Sequence, residues 1–332
     1  MIRVAINGFG RIGRCILRAL YESGYRDMVQ VVAINDLSSP DSSAHLLQYD
    51  SVHGRFNQSV YLDGETLHVG SDEIALISQP DPAELPWGMM DIDLVLECTG
   101  RFTKRDACVP HLKAGAKKVL VSAPCDNADA TVVYGVNDHV LEASHLIVSN
   151  ASCTTNCLAP VAKVLHEHFA IIEGTMTTIH SYTNDQHILD LAHKKDMYRG
   201  RAAALSLIPT KTGAAKAIGL VLPGLEGKLS GLAVRVPTPN VSLVDLTVHV
   251  TKPATKAEVN EVMKQAADTM LVLDYNDKPL VSVDFNHSTA SSTFDANHTE
   301  AKGNLIKVLA WYDNEWGFSN RMLDTALAMM SA

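Results

Sequence analysis

A glycine pattern near the start of the chain constrains the fold more than any other feature. The apolar run 2–6 predicts a buried strand, and Gly8, Gly10 and Gly13 follow it directly, at the entry to a helical pattern. A second apolar strand then ends at Asp36. Glycines with this spacing allow a tight turn, a close approach of the backbone to a pyrophosphate, and close packing of helix on strand. The sequence therefore predicts a dinucleotide-binding unit rather than a simple glycine turn.

The acidic residue after the second strand indicates the cofactor. Asp36 follows Gly13 at about the separation expected for a carboxylate that binds the ribose hydroxyls of the adenosine. A carboxylate at that point repels a 2′-phosphate, so NAD is favoured over NADP. Amides at the start of the helix would supply donors for the cofactor's phosphates.

Further strand candidates indicate how the first half of the chain is organised. Apolar runs at 94–98, 119–122 and 146–148 alternate with short helical patterns. This alternation predicts an α/β fold with a doubly wound parallel sheet. Ligands bind at the carboxyl edge of such a sheet. The loops at that edge would carry Gly8, Asp36, Thr99, Ser122 and Cys153.

A cysteine between small polar residues begins the second half of the chain. Cys153 stands between Ser152 and Thr154 and precedes the apolar helical run 158–169. A thiol at a helix N-terminus lies at the positive end of the dipole, which favours the nucleophilic thiolate. An N-capped helix with an inert cysteine would have a similar sequence. The nearby cofactor edge and a strand that ends in His180 favour a catalytic thiol, with His180 as its base.

Basic and hydroxyl-bearing side chains further along the chain indicate recognition of phosphate. The polar stretch 181–205 is long for a loop without a function, although a solvated charged loop would look similar. The segment 210–216 predicts a helix start with free amides, which suits an anion. An arginine inside an apolar strand requires an anionic partner. The residues concerned are Lys194, Lys195, Arg199, Thr212, Gly213 and Arg235.

Composition and charge exclude several classes of protein. With 332 residues, 46% of them hydrophobic, the chain can form two domains with their own cores. A net charge of −9 argues against nucleic acid as the main partner. Six cysteines without paired spacings predict neither a disulfide framework nor a metal site. We see no leader peptide and no stretch suited to a membrane, so we expect a cytoplasmic protein.

Together these motifs resemble the family of phosphorylating glyceraldehyde-3-phosphate dehydrogenases, over essentially residues 2–330. The resemblance implies a Rossmann NAD-binding domain at 1–149, joined by a C-terminal helix at 315–332. It also implies an α+β catalytic domain at 150–314, with a large mixed sheet of eight or nine strands. The family is usually homotetrameric, and the stretch 180–205 lines a neighbouring subunit's cofactor site. The motifs that carry the resemblance lie at 6–14, 151–157, 180–186, 212–216, 235–241 and 311–315.

The resemblance also implies a reaction and roles for individual residues. Cys153 would attack the aldehyde of glyceraldehyde 3-phosphate, and His180 would accept its proton. Hydride transfer to NAD would leave a thioester, from which inorganic phosphate would release 1,3-bisphosphoglycerate. Arg11 and Ile12 would lie at the pyrophosphate turn, and Asn314 would orient the nicotinamide carboxamide. The substrate's phosphate would be bound by Thr183 and Arg235, and inorganic phosphate by Ser152, Thr154, Thr212 and Gly213, with Arg199 nearby.

Some features leave other interpretations open. Segments such as 280–287 and 315–324 resemble the sister family of erythrose-4-phosphate dehydrogenases, which pass the thioester to water. The chain keeps the phosphate-holding segments 182–185 and 212–216, which favours the phosphorylating reaction. Ala192 stands where strongly NAD-specific members have proline, so some tolerance of NADP is expected. A non-catalytic NAD sensor would have lost the nucleophile or the base, and this chain retains both.

Overall fold

The computed structural model describes residues 1–194 and 196–332. Lys195, which belongs to the predicted basic cluster, lies outside the described residues. The chain forms two compact units. The first unit comprises Met1–Tyr134, Asp138–Ser152 and Ser319–Ala332, and the second comprises Gly135–Asn137 and Cys153–Phe318.

A mainly parallel sheet forms the first unit. Its strands occur in the order β10-β11-β9-β8-β1-β2-β7-β6-β5, and β3 pairs with β4 apart from this sheet. The pairs from β10 to β7 are parallel, whereas β7, β6 and β5 are antiparallel. The strands are β1 (Ile2–Asn7), β2 (Val29–Asn35), β3 (Tyr49–Asp50), β4 (Gly54–Arg55), β5 (Val60–Asp63), β6 (Thr66–Val69), β7 (Asp72–Ile77), β8 (Leu94–Glu97), β9 (Lys118–Val121), β10 (Ala130–Thr131) and β11 (Ile147–Ser149).

The parallel pairing determines which loops share an edge. Because β1, β2, β8 and β9 run in the same direction, the residues that follow them lie at one edge of the sheet. The predicted doubly wound α/β sheet is confirmed. Strands β1 and β8 are buried at nearly every position, as expected for the centre of a parallel sheet. The residues that follow these four strands are Gly8, Asp36, Thr99 and Ser122.

Three helices accompany this sheet among the described residues: α1 (Arg11–Glu22), α2 (Pro40–Gln48) and α3 (Arg105–Lys113). Helix α1 buries an apolar face that includes Ile16, Leu17 and Leu20. Helix α2 begins with a Ser39 cap followed by proline, a common helix start. None of the helices in the described part of the chain is both long enough and apolar enough to cross a membrane.

The second unit contains a mixed sheet with strand order β13-β14-β12-β15-β18-β17-β16. The large mixed sheet that the resemblance implied is present, but it has seven strands in the described residues rather than eight or nine. The polar residues between β12 and β13 lack strand alternation, and they form short 3-10 turns at Tyr198–Gly200 and Ala203–Leu205. The elements are α4 (Cys153–Phe169), β12 (Ile171–Ser181), β13 (Ile208–Lys211), α5 (Ala214–Val221), β14 (Leu229–Val236), β15 (Ser242–Val250), α6 (Lys256–Ala267), β16 (Leu273–Asn276), β17 (Ser292–Lys302) and β18 (Leu305–Tyr312). The last helix, α7 (Trp316–Ser331), begins in this unit and belongs to the first unit from Ser319 onwards.

Strand pairing in this sheet brings distant residues together. Strands β12 and β14 are parallel, and His180 lies opposite Arg235. Strands β15 and β18 are antiparallel, and Ser242 lies opposite Tyr312. The predicted strand that ends in His180 corresponds to β12, and the predicted apolar strand that contains Arg235 corresponds to β14.

Candidate active site

Cys153 is the first residue of α4, and its thiol faces a histidine near the end of β12. The distance from Cys153 Sγ to His180 Nε2 is 3.7 Å. Two residues before the cysteine, Ala151 has a φ of 56°, which is uncommon for a residue other than glycine. This turn follows β11 directly and leads the chain into α4. The structure thus brings together the two residues that the sequence analysis paired.

The other ring nitrogen of His180 has two polar neighbours. Nδ1 lies 2.7 Å from the Ser181 carbonyl oxygen, which can only accept, and 2.9 Å from Arg235 Nη1, which can only donate. Nη1 of Arg235 also donates to the same carbonyl oxygen at 2.9 Å. The carbonyl favours a proton on Nδ1, and in that tautomer the unprotonated Nε2 faces Cys153, as a general base requires.

Burial controls the protonation of this pair. It raises the pKa of the Cys153 thiol, and the Arg235 guanidinium and hydrogen bonds from Thr154 oppose it only in part. Burial and Arg235 lower the pKa of His180 to about 3. At neutral pH the pair therefore consists of a thiol and a neutral imidazole. Burial therefore opposes the helix dipole, which favours the thiolate at this position.

The hydroxyl of Tyr312, at the end of β18, lies between two threonines. It is 2.9 Å from Thr154 Oγ1 and 2.7 Å from Thr178 Oγ1. The Tyr312 ring packs edge-on against His180, and burial raises the pKa of the tyrosine, so the hydroxyl stays protonated. The sequence analysis gave Tyr312 no role, although the alternation of β18 already places it on the buried face. Thr154, predicted to bind phosphate, uses its hydroxyl in this contact.

Arg235 supplies the positive charge closest to the pair. Its Nη1 lies 3.4 Å from Thr183 Oγ1 and 2.9 Å from the Ser181 carbonyl oxygen. Its Nε is buried without a hydrogen-bond partner among the described residues. An unpartnered buried donor on a cation is costly unless an anion satisfies it. Thr183 and Arg235 thus lie together beside the catalytic pair, as the sequence analysis expected of a substrate-phosphate site.

Arg199 has several partners of its own. It forms an ion pair with Asp185, and its Nε donates to Thr210 Oγ1 at 2.9 Å. Its Nη2 also donates to the Lys211 carbonyl at 3.3 Å. The positive charge still reaches the site, because Arg199 is among the causes that lower the pKa of His180. Arg199, predicted to lie near the inorganic-phosphate site, is therefore held by a carboxylate.

Thr212 and Gly213 lie at the start of α5. Gly213 occupies the capping position without a side-chain hydrogen bond, and no described atom lies within 4 Å of where its Cβ would be. Thr212 Oγ1 accepts from the Ala214 amide at 3.2 Å. This helix start is open, as an anion site requires. Ser152, the other predicted phosphate ligand, is half-buried and immediately precedes Cys153.

In the first unit, close contacts make glycine necessary in the turn after β1. Gly8 has a φ of 93°, and a Cβ there would lie 2.6 Å from the Thr99 amide nitrogen. A Cβ on Gly13 would lie 2.3 Å from the Gly8 carbonyl oxygen. Gly10, in contrast, faces open space, and it precedes α1 without a side-chain cap. The open turn and the uncapped helix start fit a pyrophosphate.

Arg11 and Ile12 begin α1, at the predicted pyrophosphate turn. The Arg11 guanidinium forms an ion pair with Asp50. Burial would raise the pKa of Asp50, but Arg11 and two backbone amides outweigh it and hold the pKa at about 2. Asp50 is therefore ionised at neutral pH, and the Arg11 side chain is committed to it.

Asp36 lies at the same edge of the sheet. Its carboxylate accepts from the Phe9 amide at 2.7 Å and from the Ser38 amide at 2.8 Å. Burial alone would raise the pKa of Asp36, but these hydrogen bonds outweigh it and keep the pKa below its usual value. Two cavities of about 360 and 250 Å³ share Asp36 and Leu37 in their linings. An ionised carboxylate therefore lines both cavities.

Thr99 is oriented by a buried carboxylate that the sequence analysis did not single out. Its amide donates to Glu97 Oε1 at 2.9 Å, and its hydroxyl donates to the same oxygen. The other oxygen of Glu97 accepts from Asn7 Nδ2 at 2.6 Å and lies 3.1 Å from His111 Nε2. Ser122 follows β9 at the same edge and is half-buried. The predicted cofactor residues of this unit therefore share one edge.

Asn314 lies in the loop between β18 and α7. Its Oδ1 accepts from Ser181 Oγ at 2.9 Å and from Ser242 Oγ at 2.8 Å. All three side chains are buried. The sequence analysis named Asn314 but neither serine, because their contact depends on the pairing of β12, β15 and β18.

A larger cavity, of about 580 Å³, lies at the opposite end of the second unit's sheet. Its lining includes Gly174, Leu229 and Val248 but neither Cys153 nor His180. His180 is several residues further along β12 than Gly174, about 20 Å away at the rise of an extended strand. Size alone therefore does not identify the candidate site.

Known proteins resemble this chain over its whole length. Residues 2–105 match the family model described as glyceraldehyde 3-phosphate dehydrogenase, NAD binding domain, and residues 152–314 match its C-terminal domain. The glyceraldehyde-3-phosphate dehydrogenase of Pseudomonas aeruginosa is 63% identical over 100% of this chain and 99% of its own length. The protein of that name from Geobacillus stearothermophilus is 55% identical over 99% of this chain and 98% of its own length.

Proposed function

The chain belongs to the glyceraldehyde-3-phosphate dehydrogenase family, and from that premise we propose which of its residues perform each step. It is an NAD-dependent oxidoreductase that acts on glyceraldehyde 3-phosphate. The observation that carries our assignment of residues is the contact of Cys153 Sγ with Nε2 of His180, at 3.7 Å.

The first step is attack by Cys153 on the aldehyde carbon. The thiol proton moves to Nε2 of His180 as the carbon–sulfur bond forms, because the thiol is protonated at rest. The resulting imidazolium is buried beside Arg235, which makes it a strong acid. It therefore donates readily to the developing oxyanion, together with the Cys153 amide at the start of α4. His180 Nε2 would take the hydroxyl proton back as the adduct becomes a thioester, and NAD, when bound, would accept the hydride.

The substrate's own phosphate is placed by Arg235 and Thr183. The support is the buried, unpartnered Nε of Arg235 and its proximity to the Thr183 hydroxyl. A phosphate would satisfy that donor and neutralise the guanidinium. Since Arg235 also touches the Ser181 carbonyl, the same side chain links substrate binding to the base.

Inorganic phosphate, the second substrate, is held by Thr212 and Gly213 at the start of α5, with Ser152, Thr154 and Arg199. The open position of Gly213 supports this assignment, and the Thr212 hydroxyl already lies at the helix start, where it accepts from the Ala214 amide. Thr154 contributes least, because its hydroxyl already contacts Tyr312. Phosphate attacks the thioester carbonyl, and the carbon–sulfur bond breaks to release the acyl phosphate and the Cys153 thiolate.

The first unit binds NAD. The uncapped start of α1, reached past the open Gly10, suits the pyrophosphate, and Asp36 suits the adenosine ribose. Because Asp36 is ionised at neutral pH, it repels the 2′-phosphate of NADP. We therefore assign the NAD domain to residues 1–149 with the helix at 315–332, and the catalytic domain to residues 150–314. Ala192 leaves some tolerance of NADP.

The enzyme acts as a cytoplasmic homotetramer. Apolar side chains are strongly exposed in the segment after β12, including Ile188 at 85% and Leu205 at 80%. Exposed apolar groups clustered in one segment indicate a contact with another subunit. The cysteines are free among the described residues, which suits a reducing compartment.

Initial rates with two aldehydes test the proposed reaction. Turnover of glyceraldehyde 3-phosphate should require inorganic phosphate, and arsenate should replace it, because the thioester is resolved by an anion. Erythrose 4-phosphate should be the poorer substrate. A matched Thr212→Ala variant should raise the KM for phosphate more than the KM for the aldehyde. Equal rates without phosphate, with erythrose 4-phosphate preferred, would instead identify a hydrolytic enzyme.

A further inference from the structure

Ser181, the last residue of β12, uses each of its polar groups on a different neighbour. Its amide donates to Ser242 Oγ at 3.1 Å, and its hydroxyl donates to Asn314 Oδ1 at 2.9 Å. Its carbonyl accepts from His180 Nδ1 at 2.7 Å and from Arg235 Nη1 at 2.9 Å. Ser181 is fully buried, and Ser242 and Asn314 are nearly so. Ser181 thus contacts His180, Arg235 and Asn314.

The serine hydroxyls fix the orientation of the Asn314 amide. A backbone amide can only donate, so Ser242 Oγ accepts from Ser181 and directs its own proton elsewhere. That proton points to Asn314 Oδ1 at 2.8 Å, beside the proton of the Ser181 hydroxyl. Reversing the amide would put two buried hydroxyl protons against an NH₂ group, which is costly. The oxygen of Asn314 therefore faces inward, and its NH₂ group remains for a ligand.

We propose that Ser181 and Ser242 are positioning residues that select the NH₂ group of Asn314 for contact with the nicotinamide carboxamide. The inference rests on the proposed function, in which Asn314 orients that group. An amide carbonyl on a ligand needs a donor, and only the orientation set by the two serines presents one. Ser181 thus contacts Asn314 through its hydroxyl and the ring of His180 through its carbonyl.

A hydroxyl-only change separates these two tasks. Ser181→Ala removes the donor to Asn314 but keeps the carbonyl that holds His180 Nδ1. The alkylation rate of Cys153 by iodoacetamide should therefore stay within about twofold of wild type, since the base remains in place. A residue that merely supports the fold would not separate the two properties.

Binding of NAD and of ADP-ribose, measured by calorimetry, tests the proposal directly. ADP-ribose lacks the nicotinamide ring but keeps the rest of the contacts. Ser181→Ala and Ser242→Ala should each raise the Kd for NAD by about 5- to 50-fold, the size of one or two lost hydrogen bonds. The Kd for ADP-ribose should change by less than about twofold. Two separate variants protect the test against one that fails to fold.

Ser292→Ala provides the matched control. Ser292 is equally buried in the same sheet, but its hydroxyl contacts Cys157 rather than Asn314. It should leave both dissociation constants unchanged. Equal weakening of NAD and ADP-ribose in the two test variants, or no weakening of NAD in either, would overturn the inference while leaving the proposed function intact. Failure of the wild type to bind NAD would overturn both.

Discussion

At the scale of single residues, two cysteines one helical turn apart have different environments. Cys153 faces His180, whereas Cys157 is fully buried, with its Sγ 3.4 Å from Ser292 Oγ. Burial raises the pKa of Cys157 to about 12, so it stays protonated and unreactive. Cys153 therefore differs from Cys157 because a histidine faces its thiol, although both residues are cysteines.

Serine and alanine substitutions should separate these two roles. Cys153→Ser should abolish oxidation of the aldehyde while NAD binding is retained, because the hydroxyl is a far weaker nucleophile. Cys157→Ala should keep turnover but lower the free energy of unfolding by about 1 kcal/mol, through the small cavity it leaves. Steady-state rates and urea denaturation check the pair. An active Cys153→Ser enzyme together with a folded but inactive Cys157→Ala enzyme would reverse the assignment.

His180 should also make the protein sensitive to acid. Its pKa falls from 6.5 to about 3 on folding, so the unfolded chain binds the proton more tightly. The stability that the neutral ring contributes is complete above about pH 6.5 and is lost as the pH falls towards 3. His180→Asn should therefore flatten the pH dependence of the unfolding free energy in that range, by up to about 1.4 kcal/mol per pH unit.

Urea denaturation of the wild type and of His180→Asn, from about pH 4 to about pH 7, measures this pH dependence of the unfolding free energy. Tyr312→Phe is a suitable control, because it keeps the ring against His180 and loses only the hydroxyl. It should lower stability about equally at every pH. An identical slope for wild type and His180→Asn would show that the histidine is not held neutral by the fold.

At the scale of elements, the turn from β1 into α1 depends on its glycines for two different reasons. A Cβ on Gly13 would lie 2.3 Å from a backbone oxygen, whereas one on Gly10 would meet no described atom within 4 Å. Packing therefore requires glycine at position 13. At position 10, glycine leaves room for a ligand at the start of α1. The motif predicts both a close approach to a pyrophosphate and close packing of helix on strand, and these two positions match those purposes.

Alanine substitutions should separate these two requirements. Gly10→Ala should leave the melting temperature within about 2 °C of wild type but weaken NAD binding by about tenfold or more, because its Cβ occupies the path to the amides of α1. Gly13→Ala should lower the melting temperature substantially. Calorimetry and thermal unfolding give both values. A Gly10→Ala protein that binds NAD normally would place the pyrophosphate elsewhere.

At the scale of the whole molecule, the exposed apolar side chains after β12 should determine assembly. Ile188, Leu189 and Leu205 are largely exposed, although the protein carries a net charge of −9. Leu189→Asp combined with Leu205→Asp should reduce the mass observed by analytical ultracentrifugation below that of a tetramer, because charge in a subunit contact is strongly unfavourable. A matched pair of aspartates at exposed Met89 and Leu271 should leave the mass unchanged. A monomeric wild type would contradict the proposed homotetramer.

The sequence by itself determined the fold class and most of the elements. Alternating apolar strands and helices, the glycine spacing and the long alternating strands are local signals, and each reports its own segment. For the same reason Cys153, His180, Asp36 and Arg235 could be selected as candidates. Residue type and position along an element were enough to nominate them.

Only the tertiary structure decided the protonation states and the contacts of these candidate residues. Burial keeps Cys153 protonated and His180 neutral, and desolvation depends on everything packed around a group. The Tyr312 hydroxyl lies between two threonines, and two serines hold Asn314, because strand register brings together residues far apart in the chain. Which strands become neighbours depends on contacts between segments that are distant in the chain, so a pattern within one segment does not show it.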